Sequence, residues 1–176
     1  LIELFVNYLK HREIIDKFRQ AGFNKKLRYP NFPELVSETI VMNVMNGITD
    51  GFTNKCKSGD LRWHNKRIEV KAVSSNGPMS FGPTEEWDIL FIVDLRNIES
   101  FVLYQYPSSS EWGNVMVNKS ETYRDQCKAK RRPRIGLDFL QKQLEGILIA
   151  SGKVVDALEL KQITYFKTVM SSDDEV

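Results

Sequence analysis

Residues 87–94, Trp87-Asp88-Ile89-Leu90-Phe91-Ile92-Val93-Asp94, constrain the fold more than any other stretch of the chain. From Ile89 to Val93 every residue is apolar, and β-branched and aromatic types dominate. A strand turns successive side chains to opposite faces, so this run needs apolar cover on both. It therefore suits the centre of a covered sheet. The expectation is an α/β (α+β) chain with a central mixed β-sheet flanked by α-helices.

The covering helices are legible around it. Phe5, Val6, Leu9, Ile14, Ile15 and Phe18 are close to helical spacing and predict a helix over 2–20, with Gly22 as its stop. Lys25, Lys26 and Arg28 then read as a solvated connection. A second helix is expected after Asn31-Phe32-Pro33, with Leu35, Ile40, Val44 and Met45 as its buried stripe and Gly47 closing it. Leu137, Leu140, Leu144, Ile147 and Leu148 predict a third, and residues 153–160 a fourth. Further strands are expected over 101–106, weakly over 114–117, and over 163–170. Residues 171–176 read as an acidic flexible tail on a single domain covering 1–170.

Composition excludes some classes. The chain has 176 residues, 41% apolar and 27% charged, without a low-complexity tract. No apolar run approaches the roughly 18 residues of a membrane span, and no signal peptide opens the chain. Its two cysteines, Cys56 and Cys127, are isolated, which argues against a zinc site or a disulfide framework. They read as reduced thiols of a cytoplasmic protein. A net charge of +2 says little about partners.

The chemistry concentrates between residues 58 and 71. Ile68, Val70 and Ala72 alternate with Glu69 and Lys71, so the latter two share the face opposite the core. Gly59-Asp60 precedes them by a turn-sized gap. An even-length loop, such as His64-Asn65, places Asp60 directly across from Glu69; an odd one points it to the opposite face. Opposed carboxylates about 4.5–5.5 Å apart at Cβ repel. A divalent cation between them reverses that sign, so the pattern reads as a metal site. A second Glu-x-Lys, Glu159-Leu160-Lys161, lies in helical periodicity, where i and i+2 diverge. Glu34 and Glu38 share a helix face. Dipole compensation explains them, and the sharper alternative brings Glu38 to the site as a third carboxylate.

Two other stretches bear on ligands. Lys128, Lys130, Arg131, Arg132 and Arg134 put five cations into seven residues, either a solvated loop or a phosphate-contacting patch. Residues 74–83, rich in turn formers, follow the carboxylate strand and form a plausible substrate-reading loop.

Asp60 and Glu69-Val70-Lys71, followed by the apolar strand and preceded by an acidic helix, resemble the PD-(D/E)XK nuclease superfamily. Within it the chain looks like a small type II restriction endonuclease, over roughly residues 33–135. Gly59 departs from the name-giving pattern, where proline often stands. The resemblance implies a restriction-endonuclease-like fold and Mg²⁺ held by Asp60, Glu69 and the Val70 carbonyl. It implies that Lys71 positions the attacking water and that double-stranded DNA is cut to 5′-phosphate ends by a homodimer. No membrane and no small-molecule cofactor are expected. Lys128, Lys130, Arg131, Arg132 and Arg134 would clamp phosphates, with Ser75 and Asn76 proposed as base readers. The segment Arg28-Tyr29-Pro30-Asn31-Phe32-Pro33-Glu34-Leu35 is faintly similar to small enzymes cutting GCNGC. A structure-specific nuclease of the Holliday-junction resolvase kind, an inactive DNA-binding module and a plain interaction domain are the alternatives.

Overall fold

The computed structural model describes residues 1–23, 27–54 and 59–166. In chain order the elements are α1 (Ile2–Gln20), α2 (Glu34–Asn46), β1 (Phe52–Thr53), β2 (Leu61–Trp63), β3 (Lys66–Val73), β4 (Met79–Ser80), β5 (Ile89–Asp94) and β6 (Ser100–Tyr106). A 3-10 turn (Ser109–Asn114) follows, then α3 (Tyr123–Lys128), β7 (Arg134–Ile135), α4 (Leu137–Gln141), β8 (Ile147–Lys153), α5 (Val154–Leu158) and β9 (Thr164–Tyr165).

A seven-stranded sheet runs β1-β2-β3-β5-β6-β8-β9, and β4 pairs with β7 in a second, two-stranded sheet. In the large sheet β3 and β5 are parallel and the other pairs antiparallel. The expected mixed α/β architecture is therefore present, with β5 in the middle position. Its alternating side chains enter two separate cores. Ile89, Phe91 and Val93 pack with Phe5 of α1, Val36 and Ile40 of α2, and Val154 and Ala157 of α5. Leu90 and Ile92 meet Phe81, Trp87, Trp112, Tyr123, Leu137 and Leu140 on the other face.

Helix α1 ends as its sequence prescribes. Gly22 takes φ 93°, and the Gly22 and Phe23 N–H groups donate to the Arg19 and Phe18 carbonyls. That pair of bonds satisfies carbonyls the helix leaves open, and only glycine adopts the conformation at little cost.

Several expectations need correction. In α2 the buried stripe is Val36, Ile40, Val41, Val44 and Met45, while Leu35 is 52% exposed. Val36, Ile40 and Val44, four apart, form the row that faces the sheet, and Leu35 lies one position off it. Ile147 and Leu148 belong to β8, not to a helix, and α4 stops at Gln141. The short run Ile147-Leu148-Ile149-Ala150 is ambiguous by period, and pairing with β6 decides it. Residues 109–114 form the 3-10 turn, and of the strand expected over 114–117 only an isolated Met116–Thr122 bridge remains. Glu159-Leu160-Lys161 follows the end of α5. Leu160 takes φ 56°, and the turn brings Lys161 onto Glu159 as an ion pair, so this copy does converge.

Phe52–Thr53, for which the sequence raised no strand expectation, adds a strand at the sheet edge. The strand expected over 163–170 is present as Thr164–Tyr165. Its last four residues, the tail 171–176, Lys25, Lys26 and Cys56 lie outside the described residues. Among the described residues no helix is long and apolar enough to cross a membrane.

Candidate active site

The site is built on the β2–β3 hairpin. Leu61 pairs with Ile68, Arg62 with Arg67 and Trp63 with Lys66, leaving His64-Asn65 as a two-residue loop. His64 accepts the left-handed conformation, φ 49°, that so short a reversal requires. The loop has the even length the register argument demands. Leu61, Trp63, Ile68 and Val70 enter the α1–α2 core, so Asp60, Glu69 and Lys71 share the other face.

Asp60 is tied in closely. Its N–H donates to the Ile68 carbonyl (3.1 Å), and its carboxylate Oδ2 accepts the Val70 N–H (2.7 Å). Gly59 makes this approach possible. It has φ 84°, and a Cβ there would lie 3.2 Å from the Ile68 carbonyl oxygen. The departure from the family's proline thus has a local cause: proline holds φ near −65° and cannot take this turn.

Lys71 Nζ forms an ion pair with Glu69 Oε1 and lies 3.8 Å from Glu85 Oε2. Glu69 is only 8% exposed. Burial raises its pKa; Lys71 works against that, while Asp60 and Glu85 add to it. Burial likewise raises the Asp60 pKa, opposed by the Val70 N–H and by Lys71. For Lys71 burial favours the neutral amine, yet Glu69, Glu85 and Asp60 together carry its pKa above the ordinary lysine value. Glu38 is raised by burial first and then by Asp60 and Glu34. Several carboxylates thus surround one ammonium.

These groups form the floor of a cleft of about 990 Å³. Of the residues singled out in the sequence, Glu38, Asp60, Glu69, Val70, Lys71, Ser75 and Arg132 line it. Asn76, Lys128, Lys130, Arg131 and Arg134 are exposed and stand outside that lining. Arg131 is turned toward Glu121, with which it forms an ion pair.

Sequence reasoning missed two features. Glu85, in the turn before the central strand, lies between Lys71 and Arg132. Its signal was faint: an acid among turn formers looks solvated. Arg19, Arg28 and Tyr29 also line the cleft. The Arg12 and Arg19 guanidiniums lie 4.2 and 3.9 Å from the Tyr29 ring centre. Arg12 also donates to the Ser74 carbonyl (2.9 Å), tying α1 to the loop after β3. Arg28 had read as part of a solvated linker.

Among the described residues no group of three or more His, Cys, Asp or Glu side chains is placed to hold a metal ion. Mg²⁺ does not need one: it keeps several waters and takes one or two carboxylates together with substrate phosphate. Asp60 and Glu69 are oxygen donors whose burial disfavours their charged forms, a penalty that a divalent cation offsets. The donor set fits such an ion.

Comparison with known proteins gives the family. The Bsp6I restriction endonuclease family matches residues 2–143, which span α1 to α4 and include the hairpin and the residues lining the cleft. The chain is 34% identical over 121 residues to the type II restriction enzyme Bsp6I of Bacillus sp. (strain RFL6), covering 65% of this chain and 67% of that enzyme. No solved structure matches. With a mixed sheet flanked by helices and an Asp60, Glu69-Val70-Lys71 hairpin facing a cleft, the chain belongs to the Bsp6I restriction endonuclease family, of the PD-(D/E)XK-like kind.

Proposed function

We propose that the chain is a Mg²⁺-dependent type II restriction enzyme that hydrolyses phosphodiester bonds in double-stranded DNA at a short specific sequence, leaving 5′-phosphate ends. The observation that carries this reading is the convergence of Asp60, Glu69 and Lys71 on one face of a hairpin at the floor of a cleft, in a chain of this family.

Asp60, Glu69 and the Val70 carbonyl would hold the ion. When bound it supplies Lewis-acid polarisation of the scissile phosphate and offsets charge on the leaving oxygen. Lys71, held charged by its carboxylate neighbours, orients the attacking water and stabilises negative charge building on the phosphate. As a cation it has no site for the proton, which must leave by another route. Glu38, which lines the cleft with Glu34 and Glu85, is the proposed third carboxylate of the metal site beside Asp60 and Glu69.

Arg132, Arg19 and Arg28, all lining the cleft, suit contacts to the phosphate backbones. Ser75 and Asn76, in the loop after β3, are the proposed base readers; Lys128, Lys130, Arg131 and Arg134 add a flanking positive field. One site cuts one strand, so cutting both at a palindrome implies a homodimer. Incubation of supercoiled plasmid with the protein and Mg²⁺ tests the reading. Discrete fragments whose sequenced ends share one short motif support it. A smear, or uncut plasmid, overturns it.

A further inference from the structure

The short β4–β7 ladder does more than close the second core. It ends with the Phe81 N–H donating to the Pro133 carbonyl (3.0 Å), which holds residues 81–85 beside Arg132 and over Lys71. Glu85 occupies the middle of that arrangement. Its Oε2 lies 3.8 Å from Lys71 Nζ and its Oε1 3.8 Å from Arg132 Nη2. Oε2 is buried without a hydrogen bond. The carboxylate lies over the bare α-carbon of Gly82, where an added Cβ would come within 2.6 Å of Oε1. The Lys71 Nζ also lies 5.6 Å from the centre of the Phe81 ring.

We propose that Glu85 is a positioning residue, a second carboxylate seat for the Lys71 ammonium that also links it to Arg132 on the cleft rim. The proposal rests on the nuclease reading above. Glu69 cannot serve a cation fully while Lys71 pairs with it, and a half-buried ammonium is stabilised by a counter-charge. Glu85 offers that counter-charge within one side-chain movement. Its other oxygen faces Arg132, so a phosphate reaching Arg132 draws the guanidinium away and leaves the carboxylate to Lys71 alone.

Glu85→Gln keeps the shape and removes the charge; Gly82→Ala keeps the charge and crowds it out of its seat. Three quantities are measured for each: affinity for linear duplex DNA in EDTA, the single-turnover rate of plasmid cleavage with Mg²⁺, and the thermal midpoint. Both variants are expected to cleave at least about tenfold more slowly. Metal-free binding stays within about twofold for Gly82→Ala and tightens for Glu85→Gln, since a negative charge leaves the path of the phosphates. A merely structural role predicts loss of binding, rate and thermal midpoint together, and that result overturns the proposal. Variant rates within about twofold of wild type, with wild type active, overturn it alone. A wild-type protein that leaves the plasmid intact overturns the nuclease reading and this proposal with it.

Discussion

The Asp60 carboxylate accepts the backbone N–H of Val70 at 2.7 Å, so the residue before β2 is bound to the residue between Glu69 and Lys71. One hydrogen bond therefore sets the spacing of the hairpin's two carboxylates. It also keeps a charge where burial opposes it.

That opposition gives a signed prediction. Asp60 has a folded-state pKa above its unfolded value near 4, so the folded protein holds this proton more tightly than the unfolded chain does. The Asp60 contribution to stability is full below about pH 4 and is lost as pH rises through the raised value. Asp60→Asn, whose amide oxygen can still accept from Val70, should raise the thermal midpoint by a few degrees at pH 7. The gain should vanish toward pH 4, as the wild-type carboxyl takes up its proton. Calorimetry across this range measures it; an unchanged or lowered midpoint at pH 7 contradicts it.

Gly59 stands where the PD-(D/E)XK pattern often has proline, and introducing that proline here should do harm. Proline cannot reach φ 84°, so Gly59→Pro must rebuild the turn that delivers Asp60. We expect a loss of roughly 1–3 kcal/mol in unfolding free energy and of most plasmid cleavage. Denaturant unfolding and a cleavage assay would show it. Wild-type values in both would mean that the glycine conformation is not required.

The two adjacent arginines should behave differently in DNA binding. Arg132 faces the cleft, whereas Arg131 is turned to Glu121. Arg132→Gln should reduce the slope of log affinity against log salt by about 1, and Arg131→Gln by clearly less. Equal slopes for the two variants would return the phosphate clamp to the run as a whole.

Glu121 makes a second pH test. Hydrogen bonds from Arg131 first, then Asn118 and Gln126, hold its carboxyl down to about 2. A folded pKa below the unfolded one means stabilisation that is complete above about pH 4.5 and is lost as pH falls toward 2. Arg131→Gln should therefore lower the thermal midpoint near neutrality, and its difference from wild type should shrink steadily below pH 4.5. The effect is small because the pair is exposed. A difference that does not change with pH would remove the linkage.

Much of this was legible in the sequence because the relevant signals are local. The uninterrupted apolar run identified β5 as a doubly covered strand, and alternation together with loop parity put Asp60 with Glu69 and Lys71. What escaped depended on tertiary partners. Leu35 and Val36 are both apolar, and only the packing of α2 on the sheet, which buries Val36 and leaves Leu35 exposed, chooses between them. Ile147 and Leu148 fit either period until β6 supplies a partner. Glu85, Arg19 and Arg28 reach the cleft because β4–β7 pairing and the Tyr29 stack carry them there, and no spacing rule encodes either. The Glu159-Leu160-Lys161 copy shows the limit of the letters. It pairs its charges as Glu69 and Lys71 do, in a turn outside the cleft lining.

The most direct test of the active site compares Asp60→Ala and Lys71→Ala with wild type in one experiment, reading duplex binding and Mg²⁺-dependent plasmid cleavage side by side. Each variant should bind DNA within about threefold of wild type, since phosphate contacts along the cleft supply the affinity, and should yield no cleavage product. Cleavage that survives either substitution would contradict the assignment of the hairpin as the catalytic centre.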